Sequence, residues 1–450
     1  MSPVELAPAP APLPADLPVP ASDVPVDERP TRTCGKIVYR PFPLQPQEDP
    51  EAMADFGAEI LSGFDVDSFD EADLESLREV LYTHGAVLFR NCWIRPESQY
   101  KLTKAFDPAS ETYGHGNNKI AKDNRSVLHP DLKTLPNTPQ VQLIGHGPVT
   151  EPHEGLVPTP ENPIILKHPS HKTFHRDPVS DEDDKNGVTR FYRWHIDAAF
   201  YDRLPPRVTT LTAVETPAGE WQKLRYDDGT GDEFMVPLGG TAFASGGKMF
   251  EILPANLKSL AVRSRVRYAP HPYTWMCKAR ALPTGLGLYS EGLELPREEL
   301  PEFDEAKVLT LPLCWRNPVT GKLHLQTHGC CVEALEVDPI PEGKERPADA
   351  LYPDGGVVPL EEARKIVYAM QRPGIAPGLV YVHEWTAGDL VLFANRLVTH
   401  SVLGGGPLSV RDFDKPAEEQ DWVDRKFHQC NLAASAPPEG PTPEDIATYA

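Results

Sequence analysis

The chain has 450 residues, and its 66 acidic against 44 basic side chains give a formal net charge of −22. That length suffices for a large core in one elaborate domain or two, while the charge argues against nucleic acid or an anionic membrane as partner. There is no run of about 18 apolar residues to span a bilayer, no basic-then-apolar leader, and the seven Cys include no C-x-x-C, so we expect a cytoplasmic (cytosolic) protein with reduced thiols.

Residues 1–33 are rich in Pro, Ala and Asp without apolar periodicity, which predicts a disordered, partly polyproline tail. The folded domain is expected over 34–435 and a flexible C-terminal tail over 436–450. Leu74, Leu77, Val80 and Leu81 recur at helical spacing between Asp70 and Thr83, and Gly85 closes the run. Ala86–Phe89 reads as a short buried strand, and Pro96 opens a second helix through Leu102 and Phe106. From Tyr113 to Gly187 the chain is rich in His, Pro, Asn and charge. Long loops are expected there, with a single strand at Val141–Ile144 and a solvated acidic loop at 180–184.

Strand patterns follow at Val208–Val214, Gly240–Ala244, Val308–Leu311 and Leu323–Gln326, with Asp227–Asp232 as a hairpin turn. A helix over Leu360–Met370 precedes closely spaced strands at Val380–Val382, Asp389–Phe393, Arg396–Val402 and Lys426–Leu432. Short strands dominate, so the expected class is α+β, mainly β: a β-sandwich core with helices outside.

His195-Ile196-Asp197 is the first chemistry-bearing motif. In extended backbone, residues two apart project from one face, so this imidazole and carboxylate can share a metal ion. A third ligand from a distant strand would complete a facial set that leaves positions open on iron(II). Such pairs are cheap, and two rivals exist: His129-Pro130-Asp131 and His175-Arg176-Asp177. The first has Pro inside it and the second sits in a charged run, whereas Trp194, Ile196, Ala198, Ala199 and Phe200 surround His195 and Asp197. His400 offers the third ligand, on a strand that returns after a turn at Asn395.

The contexts Trp194-His195-Ile196-Asp197, Pro205-Pro206-Arg207-Val208, Gly240-Thr241-Ala242-Phe243 and Gly388-Asp389-Leu390 through His400 resemble the iron(II)/2-oxoglutarate dioxygenases of the taurine dioxygenase type. His84 to Arg90 is similar to that family's first strand, and the likeness runs from about residue 70 to about 433. The resemblance implies a double-stranded β-helix, or jelly-roll, with His195, Asp197 and His400 on Fe(II), and 2-oxoglutarate and O2 as cosubstrates. The distal carboxylate of 2-oxoglutarate needs a rigid cation, and an Arg fork suits it. Arg411 and Arg425 both follow His400; we choose Arg425, which opens the last strand as the family's Arg does, although its spacing from His400 is longer than usual. Thr241 matches a family residue that hydrogen-bonds the cosubstrate.

Within the family the chain most resembles the fungal xanthine dioxygenases. Gln429 and Asn431, at +4 and +6 from Arg425, match their pattern, as do Asp183-Asp184, Lys167 and Gln142. The resemblance implies hydroxylation of xanthine at C8 to uric acid. Side-chain amides, each with donors and an acceptor, suit the alternating edge of a purine dione. A sulfonate or aryloxyalkanoate dioxygenase is the alternative within the family; a metal-free jelly-roll scaffold is the alternative from another class.

Overall fold

The computed structural model describes residues 29–114, 133–167, 170–404 and 424–450. His129, Asp131 and Arg411 lie outside them, as do residues 1–28.

The described chain is mainly β, in mixed sheets with helices around them. The largest sheet has ten strands, with Leu390–Phe393 at its middle between Ala86–Phe89 and Thr209–Glu215. Beyond Thr209–Glu215 come Arg425–Asn431 and then Val141–Val149. Pairing is antiparallel except where Ala58–Ser62 runs parallel to Ala86–Phe89. A second sheet has three strands, with Thr241–Ser245 between Val380–His383 and Val398–Val402.

Period-two alternation decides how these layers stack. In 390–393, Leu390 and Leu392 pack with Leu74, Leu77, Val80 and Leu81 of helix Glu71–His84. Val391 and Phe393 point the other way and share a cluster with Phe243 and Tyr381 of the three-stranded sheet. Phe427 from the last strand joins the same cluster. One core cluster therefore lies between the two sheets, with the helix Glu71–His84 covering the outside, and a larger cluster gathers around Trp194, Met249, Tyr268, Leu335 and Val367. Asp70 and Asp73 form a capping box at that helix's start, and Gly85 at φ 80° ends it, a conformation that suits Gly.

Four expectations need correction. Residues ahead of 34 already belong to the fold: Arg29 donates to the Pro41 carbonyl and to Glu59, and Arg32–Cys34 pairs with Ile37–Pro41. The C-terminal segment is not a flexible tail. Thr442 and Asp445 make a capping box for helix Pro443–Tyr449, Asp445 pairs with Arg316, and Tyr449 stacks edge-on to Phe250. The 113–187 stretch holds more structure than one strand, because Val141–Val149 is nine residues long and Ile164–Leu166 pairs with it. The acidic run is a short helix, Asp181–Lys185, capped by Ser180, and Asp184 is buried within it.

Candidate active site

The strand Leu390–Phe393 ends at the turn through Asn395, and Val398–Val402 returns carrying His400. His195 meets it by a single bridge rather than a full strand: each backbone N–H donates to the other residue's carbonyl at 2.9 Å. That pairing brings the two imidazoles together, their planes tilted by 41° and their centroids 4.1 Å apart. Asn395 then fixes Asp197, its Oδ1 accepting from the Asp197 N–H and its Nδ2 donating to the Asp197 carbonyl, both at 2.8 Å. Ligating atoms of His195, Asp197 and His400 all lie within 4.8 Å of one another, a group of His, Cys, Asp or Glu residues able to hold a metal ion.

His195 and Asp197 are prepared for that task. His195 Nδ1 lies 2.9 Å from the Arg193 carbonyl, which places the proton on Nδ1 and leaves the Nε2 lone pair for a metal. Burial, helped by the neighbouring His400 ring, holds His195 well below the usual imidazole range and so neutral. Thr209 Oγ1 donates to Asp197 Oδ2 at 2.6 Å, and Gln429 Nε2 lies 3.4 Å from Oδ1. Two imidazoles and one oriented carboxylate are the donor set that suits non-haem iron(II) with positions left open.

Arg425 opens the last strand and is 1% exposed. Its Nε donates to the Gly239 carbonyl at 3.2 Å, its guanidinium carbon sits 3.9 Å over the Phe427 ring, and its Nη2 is buried with no partner. Among the described residues no carboxylate pairs with it, and burial alone pulls its pKa down to about 9. A buried, unpaired guanidinium is costly unless a ligand brings the countercharge. Thr241 is fully buried and its Oγ1 accepts from Trp385 Nε1 at 3.0 Å, so its hydroxyl proton is free to point at a ligand. These groups fit a cosubstrate carboxylate.

The residues expected at the substrate divide into two groups. Gln429 also accepts from Tyr113 Oη at 3.3 Å, so it sits beside Asp197 with both ends engaged. Asn431 is fully buried and neither side-chain atom has a partner. A Cβ on Gly114 would fall 2.4 Å from its Oδ1, so glycine there leaves the amide room. Gln142 stands opposite Gln429 in the ladder, but its Oε1 accepts from Thr134 and its Nε2 reaches the Pro139 carbonyl. Asp183 pairs with Arg225 at 3.0 Å, and Asp184 with Lys172 at 2.8 Å. Lys167 is exposed, one residue beyond Ile164–Leu166.

Asn395, Trp385 and Tyr113 were missed from the sequence. Asn395 lies inside the quoted Gly388–His400 context and a polar residue between two apolar strands was its only signal. Nothing local marks Trp385 or Tyr113, whose partners are 144 and 316 residues away.

The profile described as the taurine catabolism dioxygenase TauD, TfdA family matches residues 42–404. The chain belongs to that family of dioxygenases. Among curated proteins it is 49% identical over 435 residues to the alpha-ketoglutarate-dependent xanthine dioxygenase of Schizosaccharomyces pombe, covering 94% of this chain and 98% of that one. Its identity to the protein of the same description from Emericella nidulans is 49% over 395 residues, 87% of this chain and 96% of the other. For the Neurospora crassa protein it is 48% over 410 residues, 89% of each. Among the described residues no helix is long and apolar enough to cross a membrane.

Proposed function

We propose that this enzyme is an Fe(II)- and 2-oxoglutarate-dependent dioxygenase that hydroxylates xanthine at C8. Xanthine, 2-oxoglutarate and O2 go to uric acid, succinate and CO2. The two facing sheets are read as a jelly-roll with His195, Asp197 and His400 as the iron ligands at its open end. When bound, Fe(II) supplies the activation of O2. The chain's own residues do the rest: Arg425 and Thr241 hold the distal carboxylate of 2-oxoglutarate, and Trp385 orients the Thr241 hydroxyl. Gln429 and Asn431 turn the flat purine so that one ring carbon faces the metal.

One observation carries the reading: a two-His, one-carboxylate set in a fold whose last strand opens on a buried guanidinium with no acidic partner among the described residues. Near full-length identity to proteins described as xanthine dioxygenases supports the choice of substrate. The amide of Asn431 would be left unsatisfied by hypoxanthine, which lacks one carbonyl, so hypoxanthine should be a poor substrate. The test is uric acid formation and succinate release with xanthine, hypoxanthine, taurine and an aryloxyacetate in parallel, with His195→Ala as the inactive control. Turnover of taurine or the aryloxyacetate without xanthine overturns the purine reading, and full activity in His195→Ala overturns the metal site.

A further inference from the structure

The segment bearing His195 and Asp197 starts with an arginine that the chemistry above leaves unused. Arg193 stands two residues before His195, and in extended backbone alternate residues project to one side. Both stay partly exposed while Trp194 and Ile196 between and beyond them are closed. The Arg193 guanidinium carbon lies 5.4 Å from the ring centroids of Phe174 and Tyr192 and 5.1 Å from that of Tyr273. Among the described residues its guanidinium makes no hydrogen bond or ion pair, and Nε is buried without a partner.

Other enclosed arginines are spent on protein atoms. Arg263 donates to the carbonyls of Asp338, Leu351 and Tyr352. Arg396 donates to those of Pro205 and Ala436, and Arg364 pairs with Glu294. Like Arg425, the residue assigned to a carboxylate, Arg193 has no acidic partner among the described residues. His328 shares the Tyr273 ring with it and is fully buried, with neither ring nitrogen partnered among the described residues. The His328 ring lies 6.0 Å from that of His195, 5.8 Å from Tyr273 and 5.7 Å from Phe200. Buried donors and acceptors are almost always satisfied, so two adjacent orphaned groups next to a metal ligand point to a missing ligand.

We infer that Arg193 and His328 form a further wall of the substrate pocket and recognise the carbonyl-rich, acidic edge of the purine; this rests on the xanthine reading. A guanidinium fork can bridge a ring oxygen and the neighbouring ring nitrogen once that nitrogen has lost its proton, which xanthine and, more readily, uric acid can do. Phe174, Tyr192 and Tyr273 hold the guanidinium by their ring faces and keep its charge unscreened. His328 offers its two unpartnered ring nitrogens to the same edge. Gln429 and Asn431 cannot supply this charge, because both are neutral amides.

The experiment compares wild type, R193K and R193Q in the full chain by steady-state kinetics in xanthine and 2-oxoglutarate, and by calorimetric titration of uric acid into the metal-free proteins. R193Q is expected to raise the xanthine KM on the order of 10- to 100-fold, the loss of one charge-assisted contact. Uric acid affinity should fall by a similar factor, while the 2-oxoglutarate KM stays within about two-fold. R193K, which keeps the charge and the ring contacts but not the fork, should fall between and covers the case in which R193Q does not fold. Unchanged uric acid affinity in both variants, or a loss confined to the 2-oxoglutarate KM, overturns the inference. Wild-type turnover of xanthine tests the function separately: if it holds and the variants match wild type, only this inference fails.

Discussion

The strand Arg425–Asn431 and the short helix Asp181–Lys185 both present polar side chains that the sequence offers as ligand contacts, and the fold treats them in opposite ways. On the strand, Arg425 Nη2 and both amide atoms of Asn431 are buried with no partner. On the helix, Asp183 is paired with Arg225 and Asp184 with Lys172. Register explains the strand: Arg425, Phe427, Gln429 and Asn431 share the face that looks toward Asp197 and the inter-sheet core. On the opposite face His428 Nε2 meets His153 Nε2 at 2.7 Å and its carbonyl accepts from the Gln99 amide. Polarity alone therefore does not mark a binding residue; what separates Arg425 and Asn431 from Asp183 and Asp184 is burial without a partner among the described residues.

The comparison is broken most sharply at Arg425. Arg425→Ala should raise the 2-oxoglutarate KM by a factor corresponding to about 2–4 kcal/mol, since the partner of its distal carboxylate is lost. The xanthine KM should move far less. Kinetics that show the reverse split would mean that this strand has been placed wrongly in the chemistry. Asn431→Ala should act on the other substrate, raising the xanthine KM by the equivalent of about 1–3 kcal/mol and narrowing the preference for xanthine over hypoxanthine. An unaltered ratio for the two purines would remove Asn431 from the pocket.

The legible parts of the molecule are those encoded by local pattern. The unbroken apolar run Leu390–Phe393 announces a buried strand, and it packs on both faces. The His195–Asp197 spacing and the return strand with His400 announce the donor set. What the sequence hides is pairing across distance. Asn395 clamps Asp197 from 198 residues away, and Trp385 reaches Thr241 across 144; no window along the chain contains both partners. The C-terminal helix Pro443–Tyr449 is hidden by Pro, Gly and Ala around it, although Thr442 and Asp445 stand at capping-box spacing. The acidic run misleads for the same reason as Asn395: its countercharges Lys172 and Arg225 come from other segments, and they turn an expected solvated loop into a docked helix.

The smallest effects are expected on that helix, and they decide whether the contrast is real. Asp183→Asn breaks an ion pair whose partners are 37% and 29% exposed, worth about 0–1 kcal/mol in water. Both KM values should stay at wild type. Asp184 differs, because its side chain is 2% exposed and its partner Lys172 lies on the four-residue helix that carries Phe174. Asp184→Asn keeps the shape but removes the charge that holds Lys172, so about 1–2 kcal/mol of stability should go. Phe174 is one of the rings against Arg193, so a slackened helix reaches the purine only at second hand, through that ring. Chemical denaturation should therefore register the substitution more strongly than the xanthine KM does. A xanthine KM raised as far as in Asn431→Ala, with stability intact, would show that Asp184 touches the purine directly and that a paired carboxylate can still serve the site.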